Sequence, residues 1–163
     1  DGKMLSVHIL AVGKLKESYL RQASAEYQKR LGAFCKLTIT EIEEYKLPDW
    51  PSEAQIRAGM EEEGKRILQK LPAGCYPVML CIEGKQLSSE ELAGRMAELS
   101  IQGVSSIAFV IGGSCGLSDQ VKAAARMKLS MSKMTFPHQL ARVMLLEQIY
   151  RAFSIQAGTR YHK

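Results

Sequence analysis

The sequence predicts an α/β fold in which a mostly parallel sheet is covered by helices on both faces. Short apolar segments with the character of buried strands alternate along the chain with longer segments whose apolar residues recur at helical spacing. Such alternation is typical of β-α-β units, whose strands run parallel. The chain has 163 residues, 46% of them hydrophobic, which is enough for one domain with an ordinary packed core. Residues 1–163 are therefore predicted to form a single domain.

The first half of the chain predicts two strands and two helices. Residues 7–12 form a nearly continuous apolar run that ends at Gly13, as expected of a buried strand. Residues 14–31 place their apolar side chains on one helical face, and residues 34–42 alternate as a second strand. After a loop with two prolines, residues 52–71 predict a second helix, whose expected inward-facing side chains are Ile56, Met60, Ile67 and Leu71.

Two further strands follow, with a helix between them. Residues 77–82 form an apolar run, and residues 83–85 are interpreted as the turn that closes it. Ser88 and Glu91 have the spacing of a capping box, which predicts that a helix begins there. Residues 107–111 then predict a fourth strand, again from a short apolar run.

The C-terminal third combines a glycine-rich turn, a short strand and a long helix. Residues 112–116 follow the fourth strand directly, and Ser118 is expected to cap a helix after them. Residues 128–131 predict a brief fifth strand. Pro137 suits the first turn of a final helix, which is expected to run to about Ile155.

The final predicted helix is apolar over a broad arc rather than along one stripe. A helix of that kind has to be covered on more than its sheet side. Either it runs through the middle of the domain or it packs against a second subunit, and for a domain this small we expect a homodimer interface. The residues concerned are Leu140, Val143, Met144, Leu145, Leu146, Ile149, Tyr150 and Phe153.

The composition favours a cytoplasmic protein with a polyanionic partner. The formal net charge is +5, which by itself favours nucleic acid only modestly. No apolar run reaches the roughly 18 residues that span a bilayer, and no signal-peptide pattern opens the chain. We interpret Asp1-Gly2-Lys3, which precede Met4, as a cloning remnant or a trimmed start and exclude them from the fold prediction.

The four cysteines do not predict a metal site. They have no C-x-x-C spacing and no histidine close by in sequence. Cys35 and Cys81 lie in apolar runs, where a free cysteine behaves as a small buried hydrophobe. The pattern suits a reducing cytoplasm, and no metal is expected.

Three segments at predicted strand ends are candidates for binding a small molecule: residues 80–84, 111–116 and 131–136. In open α/β sheets, ligands collect beyond the carboxyl ends of the strands. Glycines allow a ligand to approach the backbone closely, although those of the second segment are equally consistent with a tight turn. The third segment is equally consistent with a plain helix start, with Thr135 near the cap. Neither G-x-G-x-x-G nor a G-K-[ST] ending is present, so a phosphate cradle is disfavoured.

The same segments carry a resemblance to a known family. The chain closely resembles the bacterial ribosomal RNA large-subunit methyltransferase H family in the order and spacing of four segments: residues 111–117 (IGGSCGL), 129–139 (LSMSKMTFPHQ), 147–153 (EQIYRAF) and 161–163 (YHK). Further matches, which make the resemblance full length, lie at residues 11–14, 63–64 and 82–85. This family belongs to the SPOUT class and methylates N3 of a pseudouridine in large-subunit ribosomal RNA. The motif positions show no departure from its pattern.

The resemblance implies an enzyme that uses S-adenosyl-L-methionine and acts on 23S ribosomal RNA, in the ribosome or its large subunit. It also implies a SPOUT fold with a deep trefoil knot over about residues 107–163, and a homodimer in which the knot holds the methyl donor. General rules of chain topology would not predict this, because knots are nearly absent from folds. The positions that match the family's donor contacts are Leu80, Gly112, Met131, Ser132, Lys133, Met134, Thr135 and Phe136.

Five polar residues are candidates for catalysis. N3 of a pseudouridine reacts only after losing its proton, so the site needs a base or groups that stabilise the anion. His138 lies at the mouth of the donor loop, although a histidine at a helix start often bonds locally. Tyr161 and His162 would ordinarily be interpreted as a frayed tail, but the resemblance implies that they lie near the target base. We expect Arg151 to anchor the substrate and Glu147, four residues earlier, to orient it.

RNA contacts are less well defined by the sequence. Arg142 and Arg151 are nine positions apart on the final helix, so they point to opposite sides and cannot serve one phosphate. The first predicted helix offers a basic face, which is equally consistent with solvated surface charge: Lys14, Lys16, Arg21, Lys29 and Arg30. Two alternatives stay open, namely a SPOUT methyltransferase that acts on transfer RNA and a non-catalytic RNA-binding factor of ribosome assembly.

Overall fold

The computed structural model describes residues 4–162, so the expectation for residues 1–3 lies outside it. The strands are β1 (Leu5–Val12), β2 (Cys35–Ile42), β3 (Tyr76–Gln86), β4 (Ser106–Ile111) and β5 (Met127–Ser130). They form a five-stranded sheet in the order β2-β1-β4-β3-β5, and each neighbouring pair is parallel. The predicted α/β architecture with a parallel sheet is confirmed.

Helices cover both faces of this sheet, as predicted. They are α1 (Ser18–Leu31), α2 (Glu53–Lys70), α3 (Ser89–Ile101), α4 (Asp119–Ala123) and α5 (His138–Ala157). Alternate residues of β1 point to opposite faces, because side chains alternate along a strand. Ile9 lies in a buried cluster with residues of α1, α3 and α5, whereas Leu10 lies in a second cluster with residues of α2 and α4. The sheet is thus the middle of three layers.

Serine side chains fix where three of the helices begin. The predicted capping box is present: the N–H of Glu91 donates to Ser88 Oγ at 3.0 Å, and the N–H of Ser88 donates to Glu91 Oε1 at 2.8 Å. Ser118 caps α4, as predicted, by accepting from the N–H of Val121 at 3.3 Å. Ser52 caps α2 in the same way. Each cap satisfies N–H groups that the helix leaves free, so these junctions are determined locally.

Helix α1 begins later than the predicted start at Lys14. Residues 14–17 form a loop that is held by tertiary hydrogen bonds: the N–H of Lys16 donates to Gln139 Oε1 at 2.8 Å, and the Arg21 guanidinium donates to the Lys16 carbonyl at 2.6 Å. In residues 14–17, hydrogen bonds to α5 and to the Arg21 side chain of α1 replace the backbone hydrogen bonds of a helix. The prediction of a helical basic face is therefore wrong for Lys14 and Lys16, which lie in this loop.

Strand β3 continues through residues 83–85, so the prediction of a closing turn there is wrong. The pairing of β3 with β5 shifts register, and Leu80 and Lys85 both lie opposite Leu129. An ideal Cβ atom on Gly84 would lie 2.7 Å from the backbone of Leu129. Gly84 is therefore required for the close approach of two strands rather than for a turn.

The buried face of α2 also differs from the predicted one. Three of the four apolar residues expected to face inward are only half-buried: Ile56, Met60 and Leu71. The buried residues of the helix are Gly59, Glu63, Gly64 and Ile67. An ideal Cβ atom on Gly64 would lie 2.5 Å from Ser118 Oγ, so the small residue brings α2 close to the start of α4. The spacing of apolar residues could not predict this buried face of α2, because three of its four residues are glycine or glutamate.

Helix α5 packs against both α1 and α3 on one face of the sheet. From Ala141 to Ile155, none of its residues is exposed. Most of its broad apolar arc is thus covered by two helices and the sheet within one chain, as in the first of the two predicted alternatives, whereas Leu140 of the same arc stays 38% exposed. The homodimer interface stays a prediction.

Candidate active site

A cavity of about 740 Å³ lies at the carboxyl ends of β3, β4 and β5. Its walls come from the three segments predicted at strand ends, from Lys122 of α4 and from the first turn of α5. Open α/β sheets bind ligands at this position, and the volume is within the range of small-molecule sites. The cavity is lined by residues 80–83, 111–117, 129–132 and 134–138, which include most of the three predicted segments, and by Lys122 and Ala141.

Most of the residues predicted to contact a methyl donor meet at this cavity. Lys133 is the exception, because it is exposed and does not line the wall. Tertiary folding brings the others together from segments on three different strands. The residues that line the cavity are Leu80, Gly112, Met131, Ser132, Met134, Thr135 and Phe136.

The glycine segment forms both a tight turn and a wall of the cavity. The N–H of Gly116 donates to the Gly113 carbonyl at 3.0 Å, and Gly116 has a φ of +82°. An ideal Cβ atom on Gly112 would lie 2.7 Å from the carbonyl carbon of Gly116. The two predicted interpretations are therefore compatible, since the turn is tight because the backbone folds onto itself beside the cavity.

The loop before α5 is ordered by its serines. Ser130 Oγ donates to the Ser132 carbonyl at 3.1 Å, and the N–H of Met134 donates to Ser132 Oγ at 2.9 Å. Pro137 occupies the N-cap position of α5 rather than its first turn, and His138 is the first helical residue and lines the cavity. The loop thus presents backbone and small polar groups to the cavity.

The other four candidate catalytic residues form a second cluster, which is centred on Glu147. Glu147 Oε2 accepts hydrogen bonds from Arg151 Nη2 at 2.7 Å, from Arg151 Nε at 3.1 Å and from the Tyr161 hydroxyl at 2.7 Å. The predicted pairing of Glu147 with Arg151 is thus present. This hydrogen bond also raises the pKa of Arg151, so its charge is secure.

His162 completes this cluster. Its Nδ1 lies 3.0 Å from Arg151 Nη1, and its Nε2 lies 3.4 Å from Glu90 Oε2. A guanidinium has no acceptor, so Nδ1 has to accept and the proton of the neutral ring is on Nε2, which faces Glu90. The hydrogen bond with His162 contributes to lowering the pKa of Glu90, after a bond from its own backbone.

The tail is folded back onto α5 rather than frayed. Gly158 ends the helix with a φ of +71°, and the chain reverses there. The ring of Tyr161 lies edge-on to Tyr150 with centroids 4.7 Å apart, and the Arg151 guanidinium lies 4.7 Å from the Tyr161 ring centre. Burial and the hydrogen bond to Glu147 raise the pKa of the Tyr161 hydroxyl. Lys163, the last residue of the predicted tail, lies outside the described residues.

The two groups of site residues are separated along α5. His138 lines the cavity, whereas Glu147 and Arg151 do not, and at 1.5 Å per residue they lie roughly 14–20 Å further along the helix. Arg142 has different partners from Arg151, as predicted: its Nη2 is 2.8 Å from Glu41 Oε2, and its side chain is buried. One chain therefore presents a cavity and a polar cluster that do not meet.

The sequence did not indicate the contacts of two carboxylates, Glu63 and Glu83, although both lie in segments that resemble the family. Glu63 is buried, accepts from the N–H of Tyr45 at 2.9 Å, and has an Oε1 3.7 Å from an ideal Cβ atom on Gly113. Burial raises the pKa of this carboxyl, and the Tyr45 hydrogen bond opposes the shift. Glu83 and Lys122 form an ion pair at the cavity wall. The apolar patterns gave no signal for either feature.

The expectation of no metal concerned the cysteines, which are all free thiols. Among residues 4–162, no group of three or more histidine, cysteine, aspartate or glutamate side chains is arranged to hold a metal ion. Within the same part of the chain, no helix is both long and apolar enough to cross a membrane.

Comparisons with known proteins agree on one family. Residues 5–162 match the family model described as "Predicted SPOUT methyltransferase". Proteins named "Ribosomal RNA large subunit methyltransferase H" match over 159 residues, which is 98% of this chain and 100% of theirs: those from Bifidobacterium animalis subsp. lactis and Clostridioides difficile are 52% and 48% identical to it.

Solved structures show the same fold at low sequence identity. A protein named "Probable Methyltransferase from Bordetella pertussis Tohama I" has a TM-score of 0.54 and 13% identity, covering 90% of this chain and 95% of that one. A methyltransferase structure from Legionella pneumophila with the bound cofactor SAM has a TM-score of 0.50 and 12% identity, covering 91% and 66%. From the family model and the full-length relatives, the chain belongs to the SPOUT methyltransferases and, among them, to the ribosomal RNA large subunit methyltransferase H family.

Proposed function

We propose that this chain methylates N3 of a pseudouridine in the 23S ribosomal RNA of the large subunit, using S-adenosyl-L-methionine. The observation that carries the proposal is the cavity at the ends of β3, β4 and β5, lined by seven of the eight positions that match donor contacts in the family. Relatives about 50% identical over the full chain carry the name of an enzyme of large-subunit ribosomal RNA.

The cavity suits S-adenosyl-L-methionine in size and in chemistry. Its glycine turn and serine-ordered loop bring backbone groups close to a ligand, and Leu80, Met131 and Phe136 supply apolar surface for an adenine ring. When bound, the donor supplies an electrophilic methyl group on a sulfonium. The contribution of the chain is to hold that group in line with the acceptor nitrogen, which accounts for much of the catalysis of a displacement.

The cluster around Glu147 would act on the target base. Glu147 orients Arg151, and Arg151 stabilises the anion that forms when N3 loses its proton. His162 and Tyr161 stand beside the guanidinium. The imidazole would accept the N3 proton at Nδ1, after Arg151 turns from this nitrogen to the developing anion. His138 would act from the cavity side. A base in this position typically contributes roughly a hundred- to ten-thousandfold to the rate.

The separation of the two groups of residues supports a homodimer. The donor cavity and the Glu147 cluster lie on different parts of α5, so a cavity of one subunit facing the tail of the other would complete a site. The family further implies a trefoil knot over about residues 107–163, within a single domain. An enzyme that acts on ribosomal RNA is expected in the cytoplasm, where ribosomes are found.

Mass mapping of ribosomal RNA tests the proposal most directly. We expect RNA from cells that lack this gene to have lost one methyl group from a modified uridine of the 23S molecule, and the wild-type gene to restore it. Loss of a methyl from transfer RNA instead would identify a SPOUT enzyme of different substrate. No change in either RNA, together with no binding of S-adenosyl-L-methionine by calorimetry, would identify a non-catalytic assembly factor.

A further inference from the structure

The wall of the donor cavity contains a pair of opposite charges to which no function has been assigned. Lys122 Nζ of α4 lies 3.1 Å from Glu83 Oε1 and 3.3 Å from Glu83 Oε2, on β3. Both residues line the cavity, and their side chains stay 24% and 55% exposed. At such exposure an ion pair contributes little to folding, so stability alone does not explain a pair at this place.

These two side chains are the fixed charges of the cavity. Among the described residues that line it, His138 is the one further basic group, and the rest are apolar, hydroxyl, thiol or glycine residues. The neighbouring Cys81 thiol and the ammonium of Lys122 lower the pKa of Glu83, so the carboxylate is ionised at neutral pH. The wall therefore offers one full negative charge and one full positive charge side by side.

The methyl donor carries a matching pair. The amino-acid end of S-adenosyl-L-methionine has one carboxylate and one ammonium on the same carbon atom. Its adenine and ribose are neutral, and its sulfonium carries a further positive charge without a negative partner beside it. Hydrogen bonds between ionised partners are roughly twice as strong as neutral ones. A zwitterion placed against an ion pair satisfies all four charges, and no other part of this cavity does so.

We propose that Lys122 and Glu83 bind the amino-acid end of the donor, the ammonium of Lys122 facing the donor carboxylate and the carboxylate of Glu83 facing the donor ammonium. This inference rests on the proposed function, since it takes the cavity to be the donor site. It identifies α4 and the extended end of β3 as specificity elements. The glycine turn and the loop before α5 are then left to hold the nucleoside.

Calorimetry with three ligands tests the pairing: S-adenosyl-L-methionine, its decarboxylated form, which keeps the ammonium, and 5′-methylthioadenosine, which lacks the amino-acid end. We expect Lys122→Met to weaken the full donor about tenfold and to leave 5′-methylthioadenosine unchanged. The preference for the full donor over the decarboxylated one should disappear in this variant. Glu83→Gln should weaken both ammonium-bearing ligands and again leave 5′-methylthioadenosine unchanged. A fourth ligand, S-adenosylhomocysteine, keeps the ammonium but lacks the sulfonium, and Glu83→Gln should weaken it to the same extent. Unchanged binding of S-adenosylhomocysteine would mean that Glu83 faces the sulfonium instead, which overturns the pairing.

Lys128→Met is the matched control, because it removes the same positive charge at a residue outside the cavity. Lys128 is exposed on the neighbouring strand β5 and does not line the cavity. This variant should bind all four ligands like the wild type. Equal weakening of 5′-methylthioadenosine by Lys122→Met would mean that the pair only braces the wall, and unchanged binding of every ligand would mean that it does not touch the donor. Either result overturns the inference.

A Gly112→Ala variant separates this inference from the proposed function. If that variant loses the donor while Lys122→Met binds it normally, the cavity is the donor site and only the charge pairing fails. If Gly112→Ala binds the donor like the wild type, or the wild type does not bind it, the donor cavity and the pairing fail together.

Discussion

At the scale of single residues, Glu147 is the side chain on which the arrangement of the tail depends. Its Oε2 accepts from Arg151 and Tyr161, and Arg151 in turn holds His162. One carboxylate thereby orients a cation, a phenol and an imidazole. Groups that are held in this way act without the cost of being ordered during the reaction.

His162→Ala tests whether this cluster takes part in methyl transfer. We expect kcat to fall by roughly a hundredfold or more, because a proton acceptor beside Arg151 is lost, while the affinity for S-adenosyl-L-methionine stays the same. Single-turnover methylation and calorimetry measure the two quantities. Glu90→Gln, which alters only the partner of the outer ring nitrogen, is the control and should retain most of the rate. Full turnover by His162→Ala would exclude the imidazole from the reaction.

Glu63 makes stability depend on pH in an unusual direction for a carboxylate. Burial raises its pKa above the value of 4.5, so the folded chain binds a proton more tightly than the unfolded chain does. The contribution of Glu63 therefore lowers the free energy of unfolding as the pH rises through the pKa of Glu63 in the folded state. We expect Glu63→Gln, whose amide oxygen still accepts from Tyr45, to be more stable than the wild type at pH 7 and equally stable at pH 4.

Urea unfolding at several pH values measures this difference. Glu61→Gln, an exposed change on the same helix, is the matched control and should show no such dependence on pH. A stability difference that is constant from pH 4 to pH 7 would contradict the assigned direction.

At the scale of secondary-structure elements, close backbone contacts shape the cavity. Gly112 lies against the backbone of Gly116, and Gly84 lies against that of Leu129. Neither contact leaves room for a side chain, and neither neighbour is a flexible side chain that could move aside. The turn after β4 and the close approach of β3 to β5 thus require glycine, which has a hydrogen atom in place of a side chain.

Gly112→Ala should therefore open the turn. The added methyl group would lie 2.7 Å from the Gly116 carbonyl carbon, so the turn has to shift at a cost of about 1–3 kcal/mol in the free energy of unfolding. Donor affinity should fall as well, because the same turn lines the cavity. Gly94→Ala on α3 is the control: its added methyl meets nothing within 4 Å, and helix propensity predicts a gain of up to about 1 kcal/mol. Equal effects of the two substitutions would contradict this account.

At the scale of the whole molecule, α5 connects two groups of candidate residues that one chain does not bring together. Its first turn borders the cavity, and its middle carries Glu147 and Arg151. Its packing between α1, α3 and the sheet keeps the two ends at a fixed separation. A second subunit is the simplest way to bring a tail to a cavity.

Mixing two inactive variants tests this shared site. Gly112→Ala disables the cavity and His162→Ala disables the tail, so a mixed dimer retains one intact cavity facing one intact tail. After co-refolding in equal amounts, about half of the dimers are mixed and half of their sites are intact, which predicts roughly one quarter of wild-type turnover. No recovery, in a sample that native mass spectrometry shows to contain mixed dimers, would mean that each site lies within one chain.

Local signals in the sequence predicted most of the fold. The alternation of apolar runs and helical stripes identified five parallel strands, and Ser88 and Ser118 marked helix starts that depend only on residues nearby. The strand ends also located the cavity, because parallel strands bring their carboxyl ends to one edge of a sheet. The family resemblance, not periodicity, predicted that Tyr161 and His162 form an ordered part of the molecule, and the structure shows them packed on α5.

The sequence by itself thus determined the strands, the helices, the edge of the sheet at which the cavity lies and the residues to examine there. Only the tertiary structure decided where β3 ends, where α1 begins and that Lys122 meets Glu83. Each of these depends on a partner distant in the chain. The extension of β3 depends on Leu129, which lies opposite Gly84, and the start of α1 depends on Gln139, which accepts from the N–H of Lys16. The ion pair depends on α4 lying beside the end of β3. The physical reason is that periodicity and capping record contacts within a few residues, whereas backbone clearance and ion pairing are set by neighbours in space.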